Sequence, residues 1–259
     1  MNVQELCDDL EAERVDLLAI VRGLVDEWDR ATPAPGWSIR DQLTHLAWFD
    51  DAARQSIVDP ETFVEGRQAA LSDVDGFVEG IRSSHAHLGG ADLVGWLQTA
   101  GEALRSAAIA ADPSARVPWY GPSMTLASSL TARIMETWAH GQDVADALGV
   151  RRPSNPRLHH VAFLGWRAFA NSYAAHGRAV PDVAVRVELD ACQFGPADAT
   201  NVVRGPALDF CLLVTQRRHV ADTALITEGP VAAEWLTIAQ AFAGPPGAGR
   251  QPGQFAIVE

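Results

Sequence analysis

Along the first 150 positions, apolar residues recur every three to four places, the spacing of helices that each bury one stripe. In residues 3–31 the stripe is Val3, Leu6, Leu10, Leu17, Leu18, Val21, Leu24, Val25 and Trp28, and Pro33, Pro35 and Gly36 break it, so one long helix is predicted. Ser38 opens a second helix with Asp41 in capping-box position; it buries Ile39, Leu43, Leu46, Ala53 and Ile57 and ends before Pro60. His45 lies off that stripe beside Trp48 and Phe49, and Asp50-Asp51 reads as a solvated face. From Pro60 to Leu88 the pattern weakens: residues 74–84 look helical, but Gly76, Gly80, Gly89 and Gly90 interrupt, and His85 and His87, two apart, read as solvated. Residues 91–111 form a third strong helix with Leu93, Trp96, Leu97, Ala100, Leu104 and Ala107 inward. After the loop DPSARVPWYGPS comes a fourth, 124–149, with Ser123 as N-cap and Gly149 where a helix ends left-handed. Four helices of similar length with short or moderate connections predict an antiparallel bundle.

The period changes beyond VRRPSNPR (150–157), which marks the boundary between domains 1–152 and 153–259. A fifth helix covers about 158–175. VAVRVELD (183–190) then alternates, Val183, Val185, Val187 and Leu189 inward against Arg186 and Glu188. Residues 199–204 and 224–227 are further strands, 206–217 and 230–243 helices, and the tail GPPGAGRQPGQ is loop. The fold class is therefore α+β, a helical bundle followed by a small mixed domain, with no internal repeat.

Composition narrows the partners. A net charge of −13 with a pI near 5.0 argues against nucleic acid, which needs concentrated positive charge. At 47% apolar residues and a mean hydropathy of −0.01, with no run long enough to span a bilayer, a soluble globular protein without a membrane partner is expected. All 20 basic residues are arginine, most simply codon bias in a high-GC genome. Cys7, Cys192 and Cys211 are far apart and form no C-x-x-C, and the acidic helical start is not a secretory signal, so a cytoplasmic protein with reduced thiols is expected.

The candidate chemistry sits on the second and fourth helices. Glu136 and His140, four apart, stack on one face, a spacing at which a carboxylate and an imidazole can hold one divalent metal. The same pair also suits a simple helix-surface contact. In a bundle, side chains from facing helices build such sites, and His45 is placed to join the pair; alone it reads equally as a half-buried, hydrogen-bonded histidine.

Two segments, GWSIRDQLTHLAWFD and ARIMETWAHGQDVADALG, resemble the metal-binding segments of the DinB-like proteins, specifically the mycothiol-dependent maleylpyruvate isomerase branch. The resemblance implies a DinB-like four-helix bundle, a small C-terminal α/β domain resembling sterol carrier protein, and a divalent metal, usually zinc, held by His45, Glu136 and His140. It also implies mycothiol or a similar low-molecular-weight thiol as cofactor. VPWYGPSM, GPALDFCLLVTQRRH and EGPVAAEWLTIAQAFAGPPGAGR resemble a subfamily known for metal binding without an assigned reaction, so the likeness covers nearly the whole chain.

Three protein ligands leave a position open, as in catalytic zinc sites, and a thiol entering it loses its proton. The thiolate would add to an electrophilic small molecule, giving cis–trans isomerisation if it leaves again and S-transfer if it stays. Around this centre, Arg133 either receives a substrate carboxylate or pairs with Glu136 or another acid. Asp143 either orients a ligand or is solvated. Trp119 and Tyr120 either cover the bundle mouth or pack in the core. Arg217, with Arg218 and His219, either binds acidic parts of the thiol or ends a helix. Two other classes stay open: a non-catalytic metal-binding protein whose C-terminal domain binds an apolar ligand or partner, and metal-activated hydrolysis without thiol. Monomer and homodimer are equally compatible with the sequence.

Overall fold

A computed structural model describes residues 2–255, with helices α1 (Val3–Val21), α2 (Ile39–Val58), α3 (Pro60–Gly66), α4 (Gln68–Ser72), α5 (Val74–His85), α6 (Gly90–Ala110) and α7 (Leu126–Leu148) in the first part. A short ribbon of β1 (Arg116–Val117) and β2 (Met124–Thr125) precedes α7. The remainder comprises α8 (Leu158–Arg167), α9 (Phe169–Ala175), β3 (Val185–Leu189), β4 (Gln193–Phe194), β5 (Asn201–Gly205), α10 (Ala207–Val214), β6 (Ile226–Glu228) and α11 (Pro230–Leu236). The chain divides into two compact units, Met1–Arg152 and Pro153–Glu259. No helix among the described residues is long and apolar enough to cross a membrane.

In the first unit, α1 and α2 each pack against both α6 and α7. Two apolar clusters fill the interior: Leu6, Leu10, Ala53, Leu104, Leu130 and Ile134 in one, and Leu17, Leu43, Leu46, Leu93, Leu97 and Val144 in the other. Beside these clusters each helix carries a different kind of residue: Arg14 on α1, Asp50 on α2, Gly101 on α6 and Arg133 on α7. Asp50 accepts from Arg14 Nη2 and from Arg133 Nε, both at 2.9 Å. Arg133 Nη2 also donates to the Leu46 carbonyl at 3.1 Å. Gly101 has no side chain because a Cβ there would come within 2.2 Å of the Arg14 guanidinium. Asp50 is thus not part of a solvated face, and neither is Asp51, which accepts from Trp96 Nε1 at 2.7 Å.

The helix ends show how local sequence acts. Ser38 and Asp41 form the capping box that starts α2, the Asp41 carboxylate accepting from the Ser38 amide at 2.8 Å. Gly149, with φ of 67°, closes α7 in the left-handed conformation. The N-cap of α7 is Thr125 rather than Ser123, its hydroxyl accepting from the Ser128 amide at 3.1 Å. The single helix expected over 3–31 is interrupted: α1 ends at Val21, Gly23 takes φ of 89°, and Trp28 lies buried in a separate turn, Glu27–Asp29. Trp28 explains Gly90, where a Cβ would meet the indole at 2.1 Å. Gly89-Gly90 therefore starts α6 rather than breaking structure. His85 is half-buried and stacks on Trp96 with ring centroids 4.7 Å apart, so it is not solvated; His87 is exposed.

In the second unit the strands form one mixed sheet in the order β4-β3-β5-β6. The central pair is parallel, Val187 opposite Val203, and both edges are antiparallel. Val185, Val187 and Leu189 face inward, as alternation predicts, but Val183 precedes the strand and is exposed. The helix expected over 158–175 is two, α8 and α9. Helix α10 packs on α8, and α11 on β5.

Candidate metal centre

Helix α2 presents His45, and α7 presents Glu136 and His140 one turn apart. One ligand atom from each of the three lies within 4.8 Å of the other two. Glu136 Oε2 is 3.2 Å from His140 Nε2 and 3.7 Å from His45 Nε2. The side chains of His45, Glu136 and His140 are 15%, 27% and 13% exposed, so the cluster is reachable and the carboxylate is its most open member.

Burial, together with the neighbouring His140, lowers the His45 pKa to about 4, which leaves its imidazole neutral near neutral pH. Burial pushes Glu136 up, but the adjoining imidazoles of His140 and His45 outweigh it and hold the carboxyl well below its ordinary range. The cluster thus gathers two imidazoles around a carboxylate. A divalent cation matches that donor set in type and number.

Gln42, which sequence reasoning missed, fixes the state of His140. Its Oε1 accepts from His140 Nδ1, so the Nε2 lone pair faces the cluster. Gln42 Nε2 donates to Thr32 Oγ1 at 2.9 Å, and Thr32 Oγ1 donates to the Trp37 carbonyl at 2.9 Å. The turn at 33–36, with Gly36 at φ of 77°, brings Trp37 back to stack on His140 with centroids 5.7 Å apart. The available signal was a glutamine inside the stripe of Ile39, Leu43 and Leu46, three residues before His45.

Arg133 is near the cluster but engaged by Asp50 and the Leu46 carbonyl. Asp143 is fully buried, three residues beyond His140. Trp119 and Tyr120 sit on the loop closed by the β1–β2 ribbon and pack on Phe49, at 6.1 and 5.7 Å between centroids. Phe49 in turn packs on His45 at 4.5 Å, so this loop joins the surroundings of the centre. Arg217 lies in the second unit just after α10, its Nη1 donating to the Thr215 carbonyl at 2.7 Å.

The profile of the mycothiol maleylpyruvate isomerase N-terminal domain matches residues 10–145. Two uncharacterized proteins of Mycobacterium tuberculosis, from strains CDC 1551 / Oshkosh and ATCC 25618 / H37Rv, are each 44% identical over 249 residues, covering 93% of this chain and 96% of theirs. Crystal structures of a mycothiol-dependent maleylpyruvate isomerase and of a point mutant superpose with a TM-score of 0.59 at 13% and 12% identity, covering 89% of this chain and 95% of theirs. At that identity the likeness speaks of fold.

Proposed function

The chain belongs to the mycothiol maleylpyruvate isomerase N-terminal domain family, and from that premise we propose that it is a metal- and thiol-dependent enzyme acting on a small electrophile. The observation that carries this reading is the convergence of His45, Glu136 and His140 within 4.8 Å. These three residues would hold the ion; a His₂Glu donor set suits zinc and leaves a position open. When bound, the ion would supply Lewis acidity and favour the thiolate over the thiol.

The chain's own residues prepare that chemistry. Gln42 sets the tautomer of His140, burial keeps His45 neutral, and Glu136 provides one negative charge among the donors. Trp37 and Phe49 pack on the imidazoles and limit water there. In the reaction, the thiol sulfur bonds to one carbon of a cis double bond conjugated to a carbonyl. The carbon–carbon bond becomes single and rotates, and loss of the same sulfur restores the double bond as trans. Retention of the sulfur gives S-transfer instead. Mycothiol is the proposed thiol because the solved enzyme of similar fold depends on it.

The same reading takes the first unit as a DinB-like antiparallel four-helix bundle and the second as a sterol-carrier-like domain, divided at 152/153. It takes Trp119 and Tyr120 as part of a loop that covers the bundle mouth, and Asp143 as a group that orients a ligand. It further takes the protein as cytoplasmic, a monomer or homodimer, without nucleic-acid or membrane partners.

The test is metal content of the purified protein against a Glu136→Ala variant, followed by turnover of maleylpyruvate and simple electrophiles with and without mycothiol. About one ion per chain, lost in the variant, is expected for three protein ligands. Unchanged metal in the variant overturns the ligand set. Metal without thiol-dependent turnover keeps the site and rejects both thiol mechanisms.

A further inference from the structure

The three proposed metal ligands adjoin a longer series of aromatic rings. Trp37 stacks on His140 and meets His45 at 5.4 Å, and Phe49 packs on His45. From Phe49 the rings continue to Trp48 at 4.9 Å, then to Phe77 at 5.2 Å, then to Tyr120 at 5.8 Å. Tyr120 returns to Phe49, so four rings close a circuit. Phe63, which stacks on Trp119, is buried, as a core residue should be. Trp37, Trp48, Phe49, Phe77 and Tyr120 are only half-buried, which a core role alone does not require.

Three cations around these rings are already committed, while Arg54 lies near Trp48 in a cavity shared with Asp51 and Asp59. Arg133 is held by Asp50 and the Leu46 carbonyl. Arg82 lies over Trp37 at 5.1 Å and bonds Asp41 at 3.1 Å and Glu79 at 2.8 Å. Arg67 donates to the Trp119 carbonyl. A substrate with two carboxylates would need such guanidinium groups to be released, whereas a flat uncharged molecule needs ring faces and edges.

Resting on the metal-dependent reading above, we infer that this centre takes a flat, uncharged electrophile, an aromatic or extended conjugated carbonyl compound, that lies against Trp37, Phe49 and Tyr120. A dicarboxylate is disfavoured there. Burial pushes the Tyr120 hydroxyl up to about 12, so it stays protonated, and among the described residues it has no hydrogen-bond partner; it can donate to a carbonyl on the bound molecule.

The test needs no turnover. Zinc-loaded protein, its metal content measured first, is titrated with three metal-chelating hydroxamates that differ in their tails: acetohydroxamate, benzohydroxamate and succinate monohydroxamate. Affinity is read by calorimetry. The phenyl tail is expected to bind at least about tenfold more tightly than the methyl tail, through ring contact and burial, with the carboxylate tail no tighter than the methyl. Phe49→Leu and Tyr120→Ala should collapse the phenyl-to-methyl ratio, whereas loss of fold would weaken all three tails together. Equal phenyl and methyl affinities, a preference for the carboxylate tail, or a ratio that survives in both variants overturns the inference while leaving the metal centre standing. Failure to retain zinc, or to bind any hydroxamate when loaded, overturns the metal reading and the inference with it.

Discussion

Helices α2 and α7 share two polar clusters that solve the same problem in opposite ways. In the Arg14–Asp50–Arg133 cluster the three side chains are 1–3% exposed, and two guanidinium groups converge on one carboxylate. Each charge meets its opposite at hydrogen-bond distance, with Arg14 Nε left without a partner among the described residues, so the layer is all but closed. In the His45–Glu136–His140 cluster the side chains are 13–27% exposed, and the convergence is of a carboxylate with imidazole nitrogens. Its three ligand atoms converge on one region, where a cation from outside could complete the group. A polar cluster that closes on itself fastens helices together; one whose ligand atoms converge beside an opening can bind.

The largest test of this contrast is Asp50→Ala. It leaves Arg14 and Arg133 buried without their shared carboxylate and should cost about 3–5 kcal/mol of unfolding free energy in chemical denaturation. Glu136→Ala in metal-free protein should change stability by no more than about 1 kcal/mol, as for a partly open site. Equal losses would erase the distinction between the clusters.

A smaller effect comes from pH. His45 has a folded pKa of about 4 against an ordinary 6.5, so the unfolded chain takes up a proton there that the folded chain refuses. Metal-free protein should therefore lose stability as pH falls from about 6.5 to about 4, by about 3 kcal/mol in total. Urea unfolding at several pH values would show this slope, and His45→Gln should flatten it; an unaltered slope would place the titration elsewhere. Smallest is Gln42→Leu, which frees His140 Nδ1 and should weaken zinc affinity by about 10–100-fold in chelator competition. Unchanged affinity would make Gln42 a packing residue only.

What could be read in advance was what short-range chemistry encodes. The Ser38–Asp41 capping box and the left-handed Gly149 mark helix ends through groups a few residues apart. The spacing of Glu136 and His140 fixed their common face. Features set by distant partners stayed hidden. Asp50 and Asp51 look alike in sequence, yet one meets Arg14 and Arg133 and the other Trp96, because successive helix positions point in different directions. Trp28 continued a helical stripe in the sequence, but the space it fills exists only because Gly90 lacks a Cβ. Gln42 was passed over because its value depends on an imidazole 98 positions away.

The link from Thr32 through Gln42 to His140 runs from the mouth of the exposed 33–36 turn to the centre. Altering that turn by one residue would shift the hydroxyl on which Gln42 leans and so re-aim the imidazole. The geometry of the centre is thus open to tuning by insertions and deletions in a surface turn, with His45, Glu136 and His140 all left in place.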